Sequence, residues 1–302
     1  MNGTPASPLR LGIIGLSEGN GHPYSWSAIC NGYDEQVMAE CPFPAIPGYL
    51  ARQEFPAAML SAAQVTHIWT QDPAVSAHIA RAALIPNVLT DLEAMVGSVD
   101  GVLLARDDAE NHLRFAAPFL DAGLPVYIDK PLAVSRRAAL ELFARARYPG
   151  QLFSCSALRY AAEMRLRAPQ RERLGVARLI DCVSPKDWER YSVHVIEPVI
   201  VQFCQTDAIV KAERVRGASI TQVLVSWASG LQTRFTSIGT ERAPLEISVH
   251  GTKGSLRLRF RHAFPAFKAA LSAFVSGVIE GRGVIPQQET LRVVELIEMG
   301  CG

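Results

Sequence analysis

The chain lacks an excess of either charge: 30 basic residues stand against 29 acidic ones, a formal net charge of +1 over 302 residues, with no extended run of one sign. A dedicated nucleic-acid or acidic-membrane binder needs such a footprint, so the expected partners are small molecules and other protein subunits. Paired cysteines are missing too. Cys30, Cys41, Cys155, Cys182, Cys204 and Cys301 never fall in a CxxC or similar spacing. Neither a zinc site nor a disulfide framework is suggested, and reduced, mostly buried thiols with no bound metal are expected. The most apolar stretches are interrupted by His194 and Glu197 or by Pro286, short of the ~20 residues that span a bilayer. Residues 1 to 16 carry only Arg10 before apolar Leu11–Leu16, too short for a secretory apolar region and without a small-residue cleavage site. The expectation is a soluble, cytoplasmic protein.

What is present is a large apolar fraction, 49% hydrophobic against 20% charged, enough for more than one core. The first half alternates strand and helix patterns. Leu9–Leu16, Val65–Thr70, Val99–Ala105 and Pro125–Asp129 read as strands, and Ser76–Leu84, Asn111–Ala122 and Ser135–Arg147 as helices, the last with an N-cap at Ser135. Strands separated by helices imply βαβ units and a parallel sheet covered on both faces. The second half changes character. Val176–Val183, Ser219–Ala228, Leu231–Ile238, Leu245–His250 and Ser255–Arg261 read as strands, joined by turns at Ser229-Gly230 and Gly251–Gly254, which predicts a largely antiparallel sheet. Helices over Phe267–Ile279 and Gln288–Met299 close the chain. The expected fold is therefore α/β plus α+β: a doubly wound parallel sheet over residues 1–150, with an insertion at 31–64, and a largely antiparallel open-sheet domain over 151–302.

The turn after the first strand reads Gly15-Leu-Ser17-Glu-Gly19-Asn20-Gly21-His22. In a dinucleotide-binding fold, glycines in this first strand-to-helix connection let backbone amides approach a pyrophosphate. Ser17 stands at the second glycine position of that fingerprint and Asn20 at the third. Asp72, in Thr70-Gln71-Asp72-Pro73, is open to two readings, a ribose ligand or a helix N-cap. Gly21-His22-Pro23-Tyr24-Ser25-Trp26 gathers an imidazole and two aromatic rings, read equally as lining a ligand site or as packing under the insertion.

The most informative segment runs Asp121-Ala-Gly-Leu-Pro-Val-Tyr-Ile-Asp129-Lys130-Pro131-Leu132-Ala133. Together with Val99–Ala105 followed by His112, Arg159-Tyr160, Gly175 and Val249–Gly254, it resembles the glucose-fructose oxidoreductase and inositol dehydrogenase family (Gfo/Idh/MocA), whose Glu-Lys-Pro-Leu-Ala motif is here Asp129–Ala133. The resemblance covers nearly the whole chain. It implies an N-terminal Rossmann domain, NAD or NADP as cofactor, and hydride transfer between nicotinamide and a hydroxyl or carbonyl carbon of a sugar, cyclitol or nucleotide sugar. It also implies a substrate-binding second domain, and the open face of that domain's antiparallel sheet predicts assembly as a homodimer or homotetramer. Two other expectations stay open, a catalytically silent cofactor-binding regulatory relative and a lyase or hydrolase using tightly bound NAD.

By this resemblance Lys130 is the general acid/base or its hydrogen-bonding assistant, and His194, in Tyr191-Ser-Val-His194-Val-Ile-Glu197-Pro198, is the second proton-transfer candidate. Many members carry an Asp four residues before that histidine, where this chain has Arg190. Glu197, three residues on, shares a helix face with His194 and is expected to orient its imidazole. The cofactor candidates are Gly15, Ser17, Gly19, Asn20, Gly21, Asp72, Arg106, Asp107, Asp129, Lys130 and Pro131. The substrate candidates are Arg159, Tyr160, Trp188, Tyr191, His194 and Glu197.

Overall fold

The computed structural model describes residues 7–301. Its elements run β1 (Leu9–Gly15), α1 (His22–Asn31), α2 (Glu35–Ala39), α3 (Ala45–Leu50), β2 (Ala63–Thr70), α4 (Pro73–Ala82), β3 (Asn87–Val88), β4 (Gly101–Leu104), α5 (His112–Asp121), β5 (Val126–Ile128), α6 (Arg136–Arg145) and β6 (Leu152–Phe153). There follow α7 (Ala168–Leu174), β7 (Ala177–Ser184), α8 (Trp188–Tyr191), α9 (Val193–Val199), β8 (Ile209–Arg216), β9 (Thr221–Trp227), β10 (Gln232–Ser237), β11 (Glu246–Gly251), β12 (Ser255–Arg259), α10 (Ala263–Glu280) and α11 (Gln287–Cys301). Two compact units result. Unit 1 comprises residues 1–129, 141–154 and 267–285, and unit 2 comprises residues 130–140, 155–266 and 286–302. The sequence suggested a single division near residue 150; the units interleave instead, because β6 pairs with β5 in the first sheet and much of α10 packs in unit 1.

Unit 1 is built on a parallel sheet of strand order β3-β2-β1-β4-β5-β6, the doubly wound arrangement. β1 is flanked by β2 and β4, which is why Leu11, Ile13 and Ile14 form an unbroken apolar run, all at 0% exposure. One aromatic cluster fastens the helices to this sheet. Tyr127 of β5 stacks on Trp26 of α1 (4.7 Å, 24°) and meets the edge of Phe153 (4.7 Å) and the tilted ring of Phe274 (5.7 Å). Each such pair adds about 0.5–1.5 kcal/mol beyond the area it buries. The insertion packs inward: a methyl group at Gly21 would meet Phe43 and Ile46, so the glycine there is what lets residues 43–46 close against the turn.

α10 corrects one reading. It is long and apolar enough, by length and composition, to cross a membrane. Its Leu271, Phe274 and Val275 are buried, and Phe274 joins the cluster around Tyr127. It is a core helix.

Unit 2 carries a sheet of order β12-β11-β7-β10-β9-β8, antiparallel except for the parallel β7–β10 pair. β9 alternates as expected, with Val223, Val225 and Trp227 inward, and Gly230 takes φ +84° in the β9–β10 hairpin. β8 escaped the pattern. Its Ile-Val-Lys-Ala-Glu-Arg-Val-Arg is exposed over seven of eight residues, a charged edge strand with no apolar alternation to read. None of the six cysteines is in a disulfide, and five of them are buried.

Candidate active site

In unit 1 the candidate side chains cluster at the carboxyl ends of the parallel strands, where open α/β sheets bind ligands. The turn after β1 places Gly19 at φ +76° with nothing within 4 Å of the Cβ position, while a Cβ at Gly15 would strike Pro23. The amides of Glu18 and Gly19 have no hydrogen-bond partner among the described residues, and both residues are exposed. Such unclaimed donors suit an anion, so this turn fits the pyrophosphate of a dinucleotide.

The two departures from the glycine fingerprint have partners. Ser17 Oγ donates to Asp107 Oδ1 (2.7 Å) and accepts the Asp107 amide (3.1 Å). Asn20 Nδ2 donates to Asp129 Oδ2 (2.7 Å), and His22 Nδ1 lies 2.5 Å from the same oxygen. Arg106 forms a two-point pair with Asp108 (2.9 and 2.6 Å) and reaches the Leu16 carbonyl and Gln71 Oε1, both at 3.0 Å. Burial pulls the Asp108 carboxyl up, but Arg106 and Asn111 hold it below the ordinary aspartate value. Gln71, which sequence reading passed over, also closes the turn, accepting the Leu16 amide (3.1 Å) and donating to the Leu16 carbonyl (2.7 Å). Asp72 caps α4, its Oδ1 accepting from Ala74 (2.8 Å) and Val75 (3.4 Å). Of its two readings, the N-cap is the one in place.

In unit 2 the structure gathers Lys130, Tyr191 and His194. Lys130 Nζ lies 5.3 Å from the centre of the Tyr191 ring, and that ring meets the His194 imidazole edge-on at 5.0 Å. Lys130 and His194 are both buried, at 5% and 8% exposure, and Pro131 follows Lys130 through a cis peptide. Lys186 completes the group, donating to the Tyr191 hydroxyl (2.5 Å). No sequence signal marked it.

Glu197 does not orient His194. Its carboxylate accepts from Arg159 Nε (2.8 Å) and the Ser156 amide (2.6 Å), while His194 Nδ1 is held by the Ser156 hydroxyl (2.8 Å). Three-residue spacing put the two side chains on one helix, but the neighbouring segment at Ser156–Arg159 claims the acid. Arg159 bridges further, to Glu289 of α11, which also accepts from Gln205 Nε2 (2.8 Å). Burial is the main force raising the Glu197 carboxyl above its ordinary value, against the opposing pull of Arg159. Burial also raises the Tyr160 hydroxyl.

Trp188, read as lining a substrate pocket, is a packing residue. Its indole donates to the Ile297 carbonyl of α11 (2.8 Å), it is 4% exposed, and a Cβ at Gly300 would overlap its ring. Ser156 and Glu289 went unread because their roles depend on partners 38 and 84 residues away, His194 and Gln205. Among the described residues no group of three or more metal-ligating side chains occurs.

Residues 46–156 match the oxidoreductase family GFO_IDH_MocA, described as having an NAD-binding Rossmann fold. NAD is thus the cofactor named for the matched family. No curated protein matches the sequence. Scyllo-inositol dehydrogenase from Lactobacillus casei is similar in fold, with 16% identity, a TM-score of 0.71 and coverage of 97% of this chain and 95% of that one. So is UDP-N-acetylglucosamine 3-dehydrogenase from Acidithiobacillus ferrooxidans (12%, 0.70, 97% and 96%). Biliverdin reductase from Synechocystis, solved with biliverdin and NADP+, is a third (14%, 0.69, 97% and 98%). The family resemblance read from Asp129–Ala133 therefore stands: the chain carries the sequence match of the Gfo/Idh/MocA oxidoreductases over residues 46–156 and their two-sheet fold over its length.

Proposed function

We propose that the protein is an NAD(P)-dependent oxidoreductase that moves a hydride between nicotinamide and the hydroxyl or carbonyl carbon of a sugar, cyclitol or nucleotide sugar. The observation that carries this reading is the grouping of Lys130, Tyr191 and His194 in unit 2, in a chain whose residues 46–156 match an NAD-binding oxidoreductase family. When bound, the cofactor supplies a hydride acceptor or donor. Gly15, Gly19 and Gly21 let the chain turn closely enough for the Glu18 and Gly19 amides to receive a pyrophosphate, with Ser17 and Asp107 bracing the turn. Lys130 holds the substrate oxygen as a hydrogen-bond donor or general acid/base, and His194 is a second proton-transfer group. Tyr160 and Tyr191 line the sugar-like substrate.

The outward side of the second sheet, with Leu179, Val215 and Leu224 exposed, supports assembly into a dimer or tetramer. The test of the main reading is titration of the purified protein with NADH and NADPH, followed by turnover on sugars, polyols and nucleotide sugars. Binding with turnover supports it. The alternative, a cofactor-binding relative without turnover, is favoured by the commitment of Ser17 to Asp107 beside the turn; binding without any oxidation or reduction would select it.

A further inference from the structure

His22 opens α1 and is used by nothing described above. Its Nδ1 lies 2.5 Å from Asp129 Oδ2, and Asn20 Nδ2 donates to the same oxygen at 2.7 Å. Asn20 is fixed in that orientation because its own Oδ1 accepts the His22 amide at 2.8 Å. Asp129 is 1% exposed, so protein donors take the place of water at this oxygen. A carboxylate oxygen only accepts, which puts the proton of the neutral imidazole on Nδ1 and leaves the lone pair on Nε2.

Nε2 makes no hydrogen bond to a described residue, and the side chain is 17% exposed. The ring is clamped all the same. It stacks on Trp26 (4.8 Å, 12°) and meets the edge of Phe267 (5.0 Å). His22 follows the carboxyl end of β1 and Asp129 that of β5, two parallel strands joined through β4. An imidazole held by a buried carboxylate on one nitrogen and open at the other is equipped to take a proton from a hydroxyl, the acid fixing the tautomer and stabilising the imidazolium.

We infer that His22 and Asp129 form a proton-transfer dyad, with His22 Nε2 accepting the proton of the substrate hydroxyl during oxidation. The O–H bond breaks and its proton forms the N–H bond at Nε2. The O–H electron pair becomes the second bond of the carbonyl, and the hydride leaves the same carbon for the nicotinamide. The alcohol is oxidised, the cofactor is reduced, and the imidazolium returns its proton to solvent; reduction runs each transfer backwards. This rests on the oxidoreductase reading and gives His22 the proton-accepting role for which Lys130 and His194 are the other candidates.

The test uses His22→Asn, whose amide can still donate to Asp129 but cannot take a proton, and His22→Ala, which leaves space for added imidazole. His22→Asn should bind NADH as the wild type does and lose about 100-fold in kcat, the usual scale of a general base. Its substrate KM should change little. Added imidazole should restore at least about tenfold of the activity lost in His22→Ala, a rescue that lost packing would not show. A His22→Asn enzyme within about threefold of the wild-type kcat overturns the dyad alone, since removing a general base costs far more. So does a folded, cofactor-binding His22→Ala that imidazole does not rescue. A wild type that binds NADH but turns over nothing overturns the dyad and the oxidoreductase reading together.

Discussion

The Ser156 hydroxyl lies 2.8 Å from Nδ1 of His194 and at the same time accepts the Leu158 amide at 3.2 Å. Glu197 accepts the Ser156 amide, so one serine contacts both the acid and the imidazole. Removing the hydroxyl in Ser156→Ala should loosen the hold on Nδ1 without unfolding unit 2. The expected cost is about 1 kcal/mol of stability, the net worth of one buried hydrogen bond. With His194 in proton transfer, kcat should fall about tenfold while substrate KM stays near wild type, since a mispositioned group costs the chemical step more than binding. Urea unfolding and steady-state kinetics on the same preparation check both.

Arg159 stands between two buried carboxylates, Glu197 and Glu289. Arg159→Met should cost about 3–5 kcal/mol, because it strands charges that water cannot reach. Glu197→Gln should cost clearly less, since Arg159 keeps Glu289. Chemical denaturation of the two variants gives the comparison directly.

Glu197 and Asp108 should make opposite contributions to the pH dependence of stability. Burial raises the folded-state value of Glu197, so as pH climbs from the ordinary glutamate range through that higher value the unfolded chain loses its proton first, and stability falls. Asp108 is held below its ordinary value despite burial, so its contribution is present above the ordinary aspartate range and is lost as pH drops through the folded value. Glu197→Gln should flatten the first slope and Asp108→Asn the second, as read by unfolding free energy against pH.

Asp72 caps α4 through the Ala74 and Val75 amides. Asp72→Ala should lose about 1 kcal/mol, whereas Asp72→Asn, which also caps well, should lose only a few tenths. If the cap is its whole role, neither change should move NADH affinity by more than about threefold, or roughly 0.7 kcal/mol. Thermal melts and cofactor titration separate the two effects.

The fold was legible where the sequence repeats a physical pattern. The apolar run of β1, the alternation of β9 and the Gly230 hairpin each announce their element, and Asp129–Ala133 announces the family. β8 was not legible, because an edge strand spends its side chains on solvent and carries Lys211, Glu213, Arg214 and Arg216 where a pattern would stand. The division at residue 150 was drawn from a change of pattern along the chain, which cannot show that residues 267–285 return to the first unit. In the candidate site, Lys130 and His194 were named from the resemblance, and the structure brings both against Tyr191. The partners of His194 and Asp129 were not. Ser156 and Asn20 are short polar residues whose meaning comes from chain segments 38 and 109 residues away. Glu197 shows the limit most plainly: helix spacing named its neighbour correctly and its partner wrongly.

Hydride chemistry with Lys130 in the reacting group is open to direct measurement. The most direct measurement is absorbance at 340 nm, at the nicotinamide band, with NAD+ or NADP+ and a panel of sugars, cyclitols and nucleotide sugars, run on the wild type and Lys130→Ala side by side. The wild type should reduce the cofactor with at least one member of the panel, and Lys130→Ala should lose about 100-fold or more, as expected for removal of the group that holds the substrate oxygen. Full turnover by Lys130→Ala would contradict the role of the lysine, and a wild type that binds the cofactor yet reduces it with no member of the panel would contradict the account as a whole.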